Sequence, residues 1–183
     1  NNEWKPVIQD KLSQQLLVPN GTMGQRWEEG KKWNLKLETE DGTPIDPMLS
    51  MVESDYHVET IQFPYFDSSG DGIFERPIAT RTIQLANGEE VKIATVYDLM
   101  TSQYGVQRFE HELEATSYDD ASSKYTPAWQ EQITGIKKEL VTKVAKEFAQ
   151  NAIDTGGRSM IIMGAGINHW FNSDTIYRSI LNL

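Results

Sequence analysis

The order of helix and strand signals after residue 125 constrains the fold of this chain more than any other feature. Thr126-Pro127 combines an N-cap with a proline at the first helical position, which predicts a short helix ending near Gly135. A longer helix is predicted from Lys137 to about Ile153, because its apolar residues form one continuous stripe. The apolar run Ser159–Met163 comes next, and a short run after a helix is typical of a central strand buried on both faces.

A last amphipathic helix is predicted from Asp174 to Leu183. The order helix, helix, strand, loop, helix is an α/β layer pattern. We therefore predict an α/β fold in which residues 1–120 form an irregular mixed segment and residues 121–183 form part of an α/β domain. Because the chain stops within an apolar helix, we expect it to be a piece of a larger protein.

The clearest feature of the mixed segment is a β-hairpin near residues 81–96. Asn87-Gly88 is a dipeptide that tight hairpin turns favour, since both residues tolerate positive φ. Apolar residues alternate on both arms, with Ile83 on one and Val91 on the other. Weaker signals predict a short helix, a strand, a turn and a second extended segment, at Val7–Val18, Trp33–Thr39, Asp41-Gly42 and Thr60–Phe66 respectively.

Charge and composition narrow the partners and the chemistry. The 183 residues include 17 Lys and Arg against 27 Asp and Glu, a formal net charge of −10. Such a surface repels phosphate, so we expect no nucleic acid partner. The chain has no cysteine, which excludes disulfides, thiolate metal sites and iron–sulfur ligation by its own residues. No apolar run approaches the roughly 20 residues that span a bilayer, so we expect a soluble piece.

The loop after the predicted strand is the best candidate for a ligand site. It reads Gly164-Ala165-Gly166-Ile167-Asn168-His169-Trp170, and glycines at a strand end let backbone N–H groups approach a phosphate or a ring edge. Ligands of open α/β sheets bind at the carboxyl ends of strands. The alternative is a tight strand-to-helix turn with a buried tryptophan. The loop is not a dinucleotide fingerprint, because His169 occupies the third glycine position.

Other motifs point to no chemistry. Asp67–Gly72 resembles the start of a calcium loop, but Ile78 stands where the bidentate glutamate is required, which favours a surface turn. The histidines, His57, His111 and His169, lack any metal-ligand spacing. The acidic stretch at 110–120 is predicted to be a solvated loop or linker.

Three segments together resemble the alpha (catalytic) subunits of respiratory nitrate reductases. They are Tyr118-Asp119-Asp120, then the TPAWQEQITG segment from Thr126, then the GRSMIIMGAGINHW segment from Gly157. The Thr-Pro-x-Trp helix and the strand ending in Gly-x-Gly are shared by the wider molybdopterin oxidoreductase superfamily. Asn-His-Trp after the glycines is similar to the nitrate reductase branch. The resemblance is strong over about residues 80–183 and looser before them.

The resemblance implies a large enzyme that carries bis(molybdopterin guanine dinucleotide) molybdenum and an iron–sulfur cluster. It implies reduction of nitrate to nitrite by oxygen-atom transfer at the cytoplasmic face of the cell membrane, with electrons supplied through a beta (iron–sulfur) subunit and a membrane gamma subunit. The aspartate ligand of molybdenum and the cluster ligands of the family lie outside this chain. The resemblance also implies that residues 121–183 belong to a cofactor-binding domain. It implies a cofactor-contacting role for Gly164, Ala165, Gly166, Asn168, His169 and Trp170.

Two other functions remain open on the sequence. One is another molybdopterin oxidoreductase, of the formate dehydrogenase or dimethyl sulfoxide reductase type. The other is a non-catalytic α/β interaction module. Because the last helix and strand are severed from their neighbours, we expect exposed apolar surface that a partner chain normally covers, and therefore self-association. Taken alone, the piece is expected to be catalytically inactive.

Overall fold

The computed structural model describes residues 6–21, 34–67 and 70–183. Within these ranges the fold is mixed α/β, with two small antiparallel sheets and five α-helices, which confirms the predicted class. The chain divides into two compact units, Asn1–Thr134 and Gly135–Leu183. The strands described all belong to the first unit.

The larger sheet is a meander of three strands. Strands β3 (His57–Asp67), β4 (Gly70–Gln84) and β5 (Glu90–Ile93) pair antiparallel in that order. The extended segment predicted at Thr60–Phe66 is confirmed within β3. Pro64 is tolerated there, because β3 is an edge strand and a missing N–H can face away from the sheet.

The predicted hairpin is confirmed as β4 and β5. Gln84 pairs with Glu90, and the Leu85 N–H donates to the Glu89 carbonyl at 2.8 Å, so residues 86–88 form the turn. Gly88 has φ of +85°, which glycine adopts without strain. The hairpin ends at Ile93 rather than near residue 96, because the Thr95 side chain caps helix α1 (Val96–Gln103).

The helix predicted at Val7–Val18 is wrong. These residues form a small hairpin of β1 (Ile8–Gln9) and β2 (Leu16–Leu17). The Asp10 carboxylate accepts hydrogen bonds from the Ser13 N–H at 2.7 Å and from its hydroxyl at 2.6 Å. An aspartate that satisfies the backbone three residues on competes with the helix and favours a turn.

The strand predicted at Trp33–Thr39 is wrong over residues 34–39, and Trp33 lies outside the described residues. A single bridge joins Glu38 to Pro44. Pro44 lacks an N–H and cannot extend a ladder of hydrogen bonds, which limits the pairing to that bridge. The predicted turn at Asp41-Gly42 is present, with the Gly42 N–H donating to the Thr39 carbonyl at 3.0 Å.

The core of the first unit lies where the middle of β4 packs against α1 and a 3₁₀ helix, Met51–Glu53. Residues 76–80 of β4 are buried on both faces of the strand. The Ser102 hydroxyl of α1 donates to the Pro77 carbonyl at 2.8 Å, which ties the helix to the strand. The buried apolar residues are Ile45, Met48, Met51, Ile78, Ala79 and Ala128.

Helix α2 (Pro127–Thr134) is confirmed, with the Thr126 hydroxyl accepting the Trp129 N–H at 3.1 Å. An aromatic cluster joins this helix to the sheet. Tyr125 lies 5.4 Å from the Trp129 ring and 6.0 Å from the Phe74 ring of β4, centroid to centroid. Such contacts stabilise by about 0.5–1.5 kcal/mol per pair beyond area burial. The Thr-Pro-x-Trp motif therefore anchors a helix in the first unit.

The second unit contains α3 (Lys138–Thr155), α4 (Ala165–Asn168) and α5 (Ser173–Leu181). The two longer helices are confirmed, and α3 extends two residues beyond the predicted Ile153 to end before Gly156, whose φ is +67°.

The buried strand predicted at Ser159–Met163 is wrong for this chain. The segment has neither helical nor strand structure, and Met160 and Ile162 are 76% and 83% exposed. A strand needs a neighbouring strand to pair its N–H and C=O groups, and residues 135–183 supply none.

Candidate functional site

The six candidate residues lie on one short stretch of the second unit, around helix α4. Gly164 precedes the helix with φ of −130°, and its carbonyl accepts the Ile167 N–H at 3.2 Å. The glycines therefore begin a helical turn instead of joining a strand to a helix as predicted. The residues brought together are Gly164, Ala165, Gly166, Asn168, His169 and Trp170.

The side chains at the end of α4 are open to solvent. The Asn168 amide oxygen accepts a hydrogen bond from the Tyr177 hydroxyl, which fixes α4 to α5. His169 is exposed, and Trp170 is 70% exposed. The alternative of a tight turn around a buried tryptophan is therefore wrong. An exposed indole beside free loop backbone is a surface on which a flat ring can stack.

The donor set of this loop is uncharged backbone. The first N–H groups of a helix have no partner within it, and in α4 these are the groups around Ala165. A Cβ built at Gly164 or Gly166 meets no heavy atom within 4 Å, and neither residue has positive φ. Nothing in this chain therefore requires glycine at either position. Open space over exposed donors fits the approach of an anionic or ring-edged group.

Two further observations concern metal binding and membrane crossing by the described residues. Among them, no three His, Cys, Asp or Glu side chains meet as metal ligands. None of their helices combines the length and the apolar character that crossing a membrane requires.

A buried polar cluster in the first unit was not identified from the sequence. The Asp98 side chain is fully buried and forms an ion pair with Arg108 at 2.6 Å. It also accepts hydrogen bonds from the Ser50 hydroxyl at 2.6 Å, the Met51 N–H at 2.8 Å and the Thr95 hydroxyl at 2.8 Å. Both carboxylate oxygens of Asp98 therefore have hydrogen-bond partners. These bonds join three stretches of the chain, around Ser50, Asp98 and Arg108.

These hydrogen bonds decide the ionisation of Asp98. Burial is the largest single influence and acts to raise its pKa, because a charged group loses hydration. The donors from Met51, Ser50, Arg108 and Thr95 outweigh burial and hold the pKa of Asp98 below its ordinary value of 3.8. The carboxylate is therefore charged at neutral pH, and its role is to hold the fold.

Glu114, in the acidic stretch at 110–120, is a second buried carboxylate. Its carboxylate accepts backbone N–H groups from Arg108 at 2.8 Å, Phe109 at 3.1 Å and His111 at 3.0 Å. The prediction of a solvated loop is wrong for this residue, although Glu112 is exposed. Backbone donors in a loop cannot find ladder partners, so a carboxylate supplies the acceptors.

Replacing Glu114 with alanine is expected to lower the free energy of unfolding by about 2 kcal/mol, because buried N–H groups lose their acceptor. Urea titration followed by near-ultraviolet circular dichroism measures the change. Glu112→Ala is the control in the same loop and is expected to stay within about 0.5 kcal/mol of the parent. Equal effects of the two variants would contradict the role assigned to Glu114.

The sequence of this α/β chain is similar to curated nitrate reductase alpha chains over its whole length. No protein-family model matches the sequence. The Bacillus subtilis nitrate reductase alpha chain is 53% identical over 184 residues. The Mycobacterium tuberculosis nitrate reductase alpha subunit is 42% identical over 191 residues, and the Escherichia coli respiratory nitrate reductase 1 alpha chain is 40% identical over 194 residues.

Each of these matches covers 100% of this chain and 15% of the relative. The chain is therefore related over its whole length to nitrate reductase alpha chains, and the resemblance drawn from its motifs is confirmed. It spans a small part of the relatives it matches, which fits the expected internal segment.

Proposed function

We propose that this chain is a segment of the alpha subunit of a molybdenum nitrate reductase, an enzyme that reduces nitrate to nitrite by oxygen-atom transfer. The observation that carries the proposal is the 53% identity to a nitrate reductase alpha chain over the entire chain. The match covers the whole chain, residues 164–170 included. The names of the relatives favour nitrate over the formate and dimethyl sulfoxide substrates of the alternative.

The role proposed for this segment is to contact the molybdopterin guanine dinucleotide through the loop at residues 164–170. Support comes from unpaired backbone donors at the start of α4, from open space at both glycines and from the exposed indole of Trp170. When bound, the molybdenum cofactor supplies the oxygen-atom transfer that no amino-acid side chain performs. The loop residues bind and orient; they carry no catalytic step.

The remaining parts of the proposed enzyme lie outside this chain. We place the molybdenum ligand and the iron–sulfur ligands in the rest of the alpha subunit, since this sequence has no cysteine. The proposed partners are a beta (iron–sulfur) subunit and a membrane gamma subunit. The proposed site of action is the cytoplasmic face of the cell membrane, in nitrate respiration.

The proposal is tested on the full-length alpha chain purified with its cofactor. Metal analysis is expected to find molybdenum, and a reduced dye donor is expected to support nitrate reduction. The 183-residue chain alone is expected to be inactive, because it lacks the rest of the cofactor site. Turnover by that chain alone, or a full-length protein free of molybdenum and pterin, would overturn the proposal.

Gly166→Ala tests the loop itself. In the isolated chain the new methyl group meets open space, so its helical signal by circular dichroism is expected to stay unchanged. In the full-length alpha chain the methyl group is expected to collide with the cofactor, at a cost of about 1–3 kcal/mol, or roughly 5-fold to 150-fold weaker retention of pterin. Pterin content after gel filtration is the measurement.

Ser117→Thr adds a methyl group at an exposed position of the first unit and serves as the control. It is expected to leave pterin content at the parent level. Full pterin retention by Gly166→Ala would remove the loop from the cofactor site while leaving the nitrate reductase assignment intact.

A further inference from the structure

A buried guanidinium in the first unit has no acidic partner among the described residues. Arg76, in the middle of β4, is 8% exposed, and none of the ion pairs there includes it. Its Nη1 donates to the Glu75 carbonyl at 3.2 Å, and its Cζ lies 4.9 Å from the centroid of the Phe74 ring. Burial lowers the pKa of Arg76, because the cation loses hydration. Such a cation is costly to the fold unless an anion joins it.

The free side of this guanidinium is the edge that binds carboxylates. Nε is buried without a hydrogen-bond partner, and Nη2, on the same edge, donates to none of the described residues. The two N–H groups of this edge are parallel, and a fork of this kind donates to both oxygens of one carboxylate. Buried donors normally have an acceptor, so this unpartnered edge of Arg76 indicates a ligand.

Gly105 lies between the Nε–Nη2 edge and a cleft in the same unit. A Cβ at Gly105 would lie 3.4 Å from Nε and 3.5 Å from Nη2 but 3.8 Å from Cζ, which places it in front of the edge rather than over the plane. Gly105 also lines the cleft, whose volume is about 380 Å³. Because Gly105 has no side chain, the space in front of the edge stays open. The volume is in the range of small-molecule sites, roughly 300–1,000 Å³.

Tyrosine residues line much of this cleft. They are Tyr104, Tyr118 and Tyr125. The rings of Tyr104 and Tyr125 meet edge to face at 5.4 Å between centroids, which holds both in place. Tyr125 has φ of +71°, a strained conformation for a bulky residue, and strain of this kind is concentrated at ligand sites. Aromatic rings around the cleft suit a ligand with a flat apolar body.

We propose that the cleft binds a small molecule with a flat apolar body and one carboxylate, whose two oxygens accept the Nε–H and Nη2–H groups of Arg76. The inference goes beyond the proposed function and does not rest on it. A free acid is favoured over a side chain from another surface, since the edge is recessed behind Gly105. Binding neutralises the buried cation and covers the apolar body with aromatic rings.

Benzoate is the probe, and benzamide, which has a similar shape without the charge, is its control. Each is titrated into the 183-residue chain, isotope-labelled at arginine, at about 0.15 M salt, where repulsion by the net charge of −10 is screened beyond about 8 Å. The Nε–H resonance of Arg76 is expected to shift saturably with benzoate. Benzamide is expected to bind roughly tenfold or more weakly, because its oxygen is neutral. Equal affinities, or equal shifts at every arginine, would overturn the proposal.

Gly105→Ala tests the geometry without removing the cation. Its methyl group would lie in front of the Nε–Nη2 edge, so benzoate is expected to bind roughly tenfold or more weakly. Gly42→Ala is the matched control, because Gly42 has φ of +85° against +69° for Gly105, and its methyl group meets no heavy atom within 4 Å. That variant is expected to bind benzoate like the parent. The site is wrong if the two variants bind benzoate equally.

Arg76→Lys keeps the positive charge but lacks the fork of two parallel donors. Benzoate is expected to bind it roughly tenfold or more weakly than the parent. Near-ultraviolet circular dichroism reports whether the variant is folded. Undiminished binding by the folded variant contradicts the role of Arg76, and if the variant does not fold, Gly105→Ala decides.

The full-length alpha chain tests whether the acid is a free ligand. Benzoate is titrated into it by isothermal calorimetry, with full-length Gly105→Ala as the blank, and the affinity is expected to match that of the 183-residue chain. Binding by the short chain alone would show that the remainder of the subunit covers the cleft, and the proposal would fall. Molybdenum content and nitrate reduction, measured on the same preparation, decide the proposed function separately.

Discussion

Replacing Asp98 with alanine is expected to lower the free energy of unfolding of the first unit by about 3–5 kcal/mol. The change leaves the Arg108 guanidinium, which is 16% exposed, without its carboxylate. It also removes the acceptor of the Ser50 and Thr95 hydroxyls and of the Met51 N–H. Breaking one side of a buried pair costs far more than the pair contributes, because the other charge stays buried.

Urea titration of the chain, followed by the near-ultraviolet dichroism of the aromatic cluster, measures this loss. Asp55→Ala is the control, since Asp55 is exposed and its side chain makes no ion pair among the described residues. We expect that variant to stay within about 0.5 kcal/mol of the parent. A loss below about 1 kcal/mol for Asp98→Ala would show that water replaces the carboxylate and that the cluster is not buried in solution.

The lowered pKa of Asp98 gives the same cluster a pH dependence of known sign. A carboxyl whose folded pKa lies below its unfolded value stabilises the fold at any pH above the unfolded value, about 3.9. This contribution is lost as the pH falls through the lower folded pKa. Asp98→Asn removes the titrating group, so its stability is expected to fall less than that of the parent between about pH 5 and pH 2.

Local signals in the sequence were sufficient to predict the elements that form from local contacts. The Thr126 cap, the apolar stripe of α3 and the Asn87-Gly88 turn each act within a few residues, and all three predictions are confirmed. The segment at Ser159–Met163 shows the limit of such signals. Its composition predicts a strand, but pairing depends on a neighbour that residues 135–183 do not contain.

The polar cluster around Asp98 was not predicted from the sequence for a related reason. Asp98 meets Ser50 and Met51 across 48 and 47 positions of sequence, and no spacing rule connects residues so far apart. Its local signal, an acidic residue in the first turn of a helix after a threonine cap, reads as ordinary capping. Glu114 was not singled out because it lies in a run of acidic residues of which Glu110, Glu112 and Asp119 are exposed.

The candidate site was predicted as a set of neighbours but not in its conformation. Six residues between Gly164 and Trp170 are adjacent in sequence, so their proximity required no tertiary information. Their conformation differs from the prediction, because the chain forms a short helix where a strand-end loop was expected. The cofactor role of these residues therefore stays a prediction, which the pterin content of Gly166→Ala decides.

Ile78→Ala is expected to lower the free energy of unfolding by about 2–5 kcal/mol, the range for removing a large aliphatic side chain from a close-packed site. Ile78 is 2% exposed and lies in the middle of β4, where the strand packs against α1 and the 3₁₀ helix. Ala79 beside it is wholly buried. Both faces of the strand are therefore covered at this point, and a cavity left by the substitution has little room to collapse.

The matched control is Ile73→Ala, which makes the same change on the same strand. Ile73 is 68% exposed and pairs with Pro64 near the far end of the hairpin, so its removal is expected to cost less than about 1 kcal/mol. Both variants replace isoleucine with alanine in the same strand, so both lose the same strand propensity. The difference between their two losses of unfolding free energy therefore reports burial. Similar losses from both would mean that the middle of β4 is no better packed than its end, and the core assigned to the first unit would be wrong.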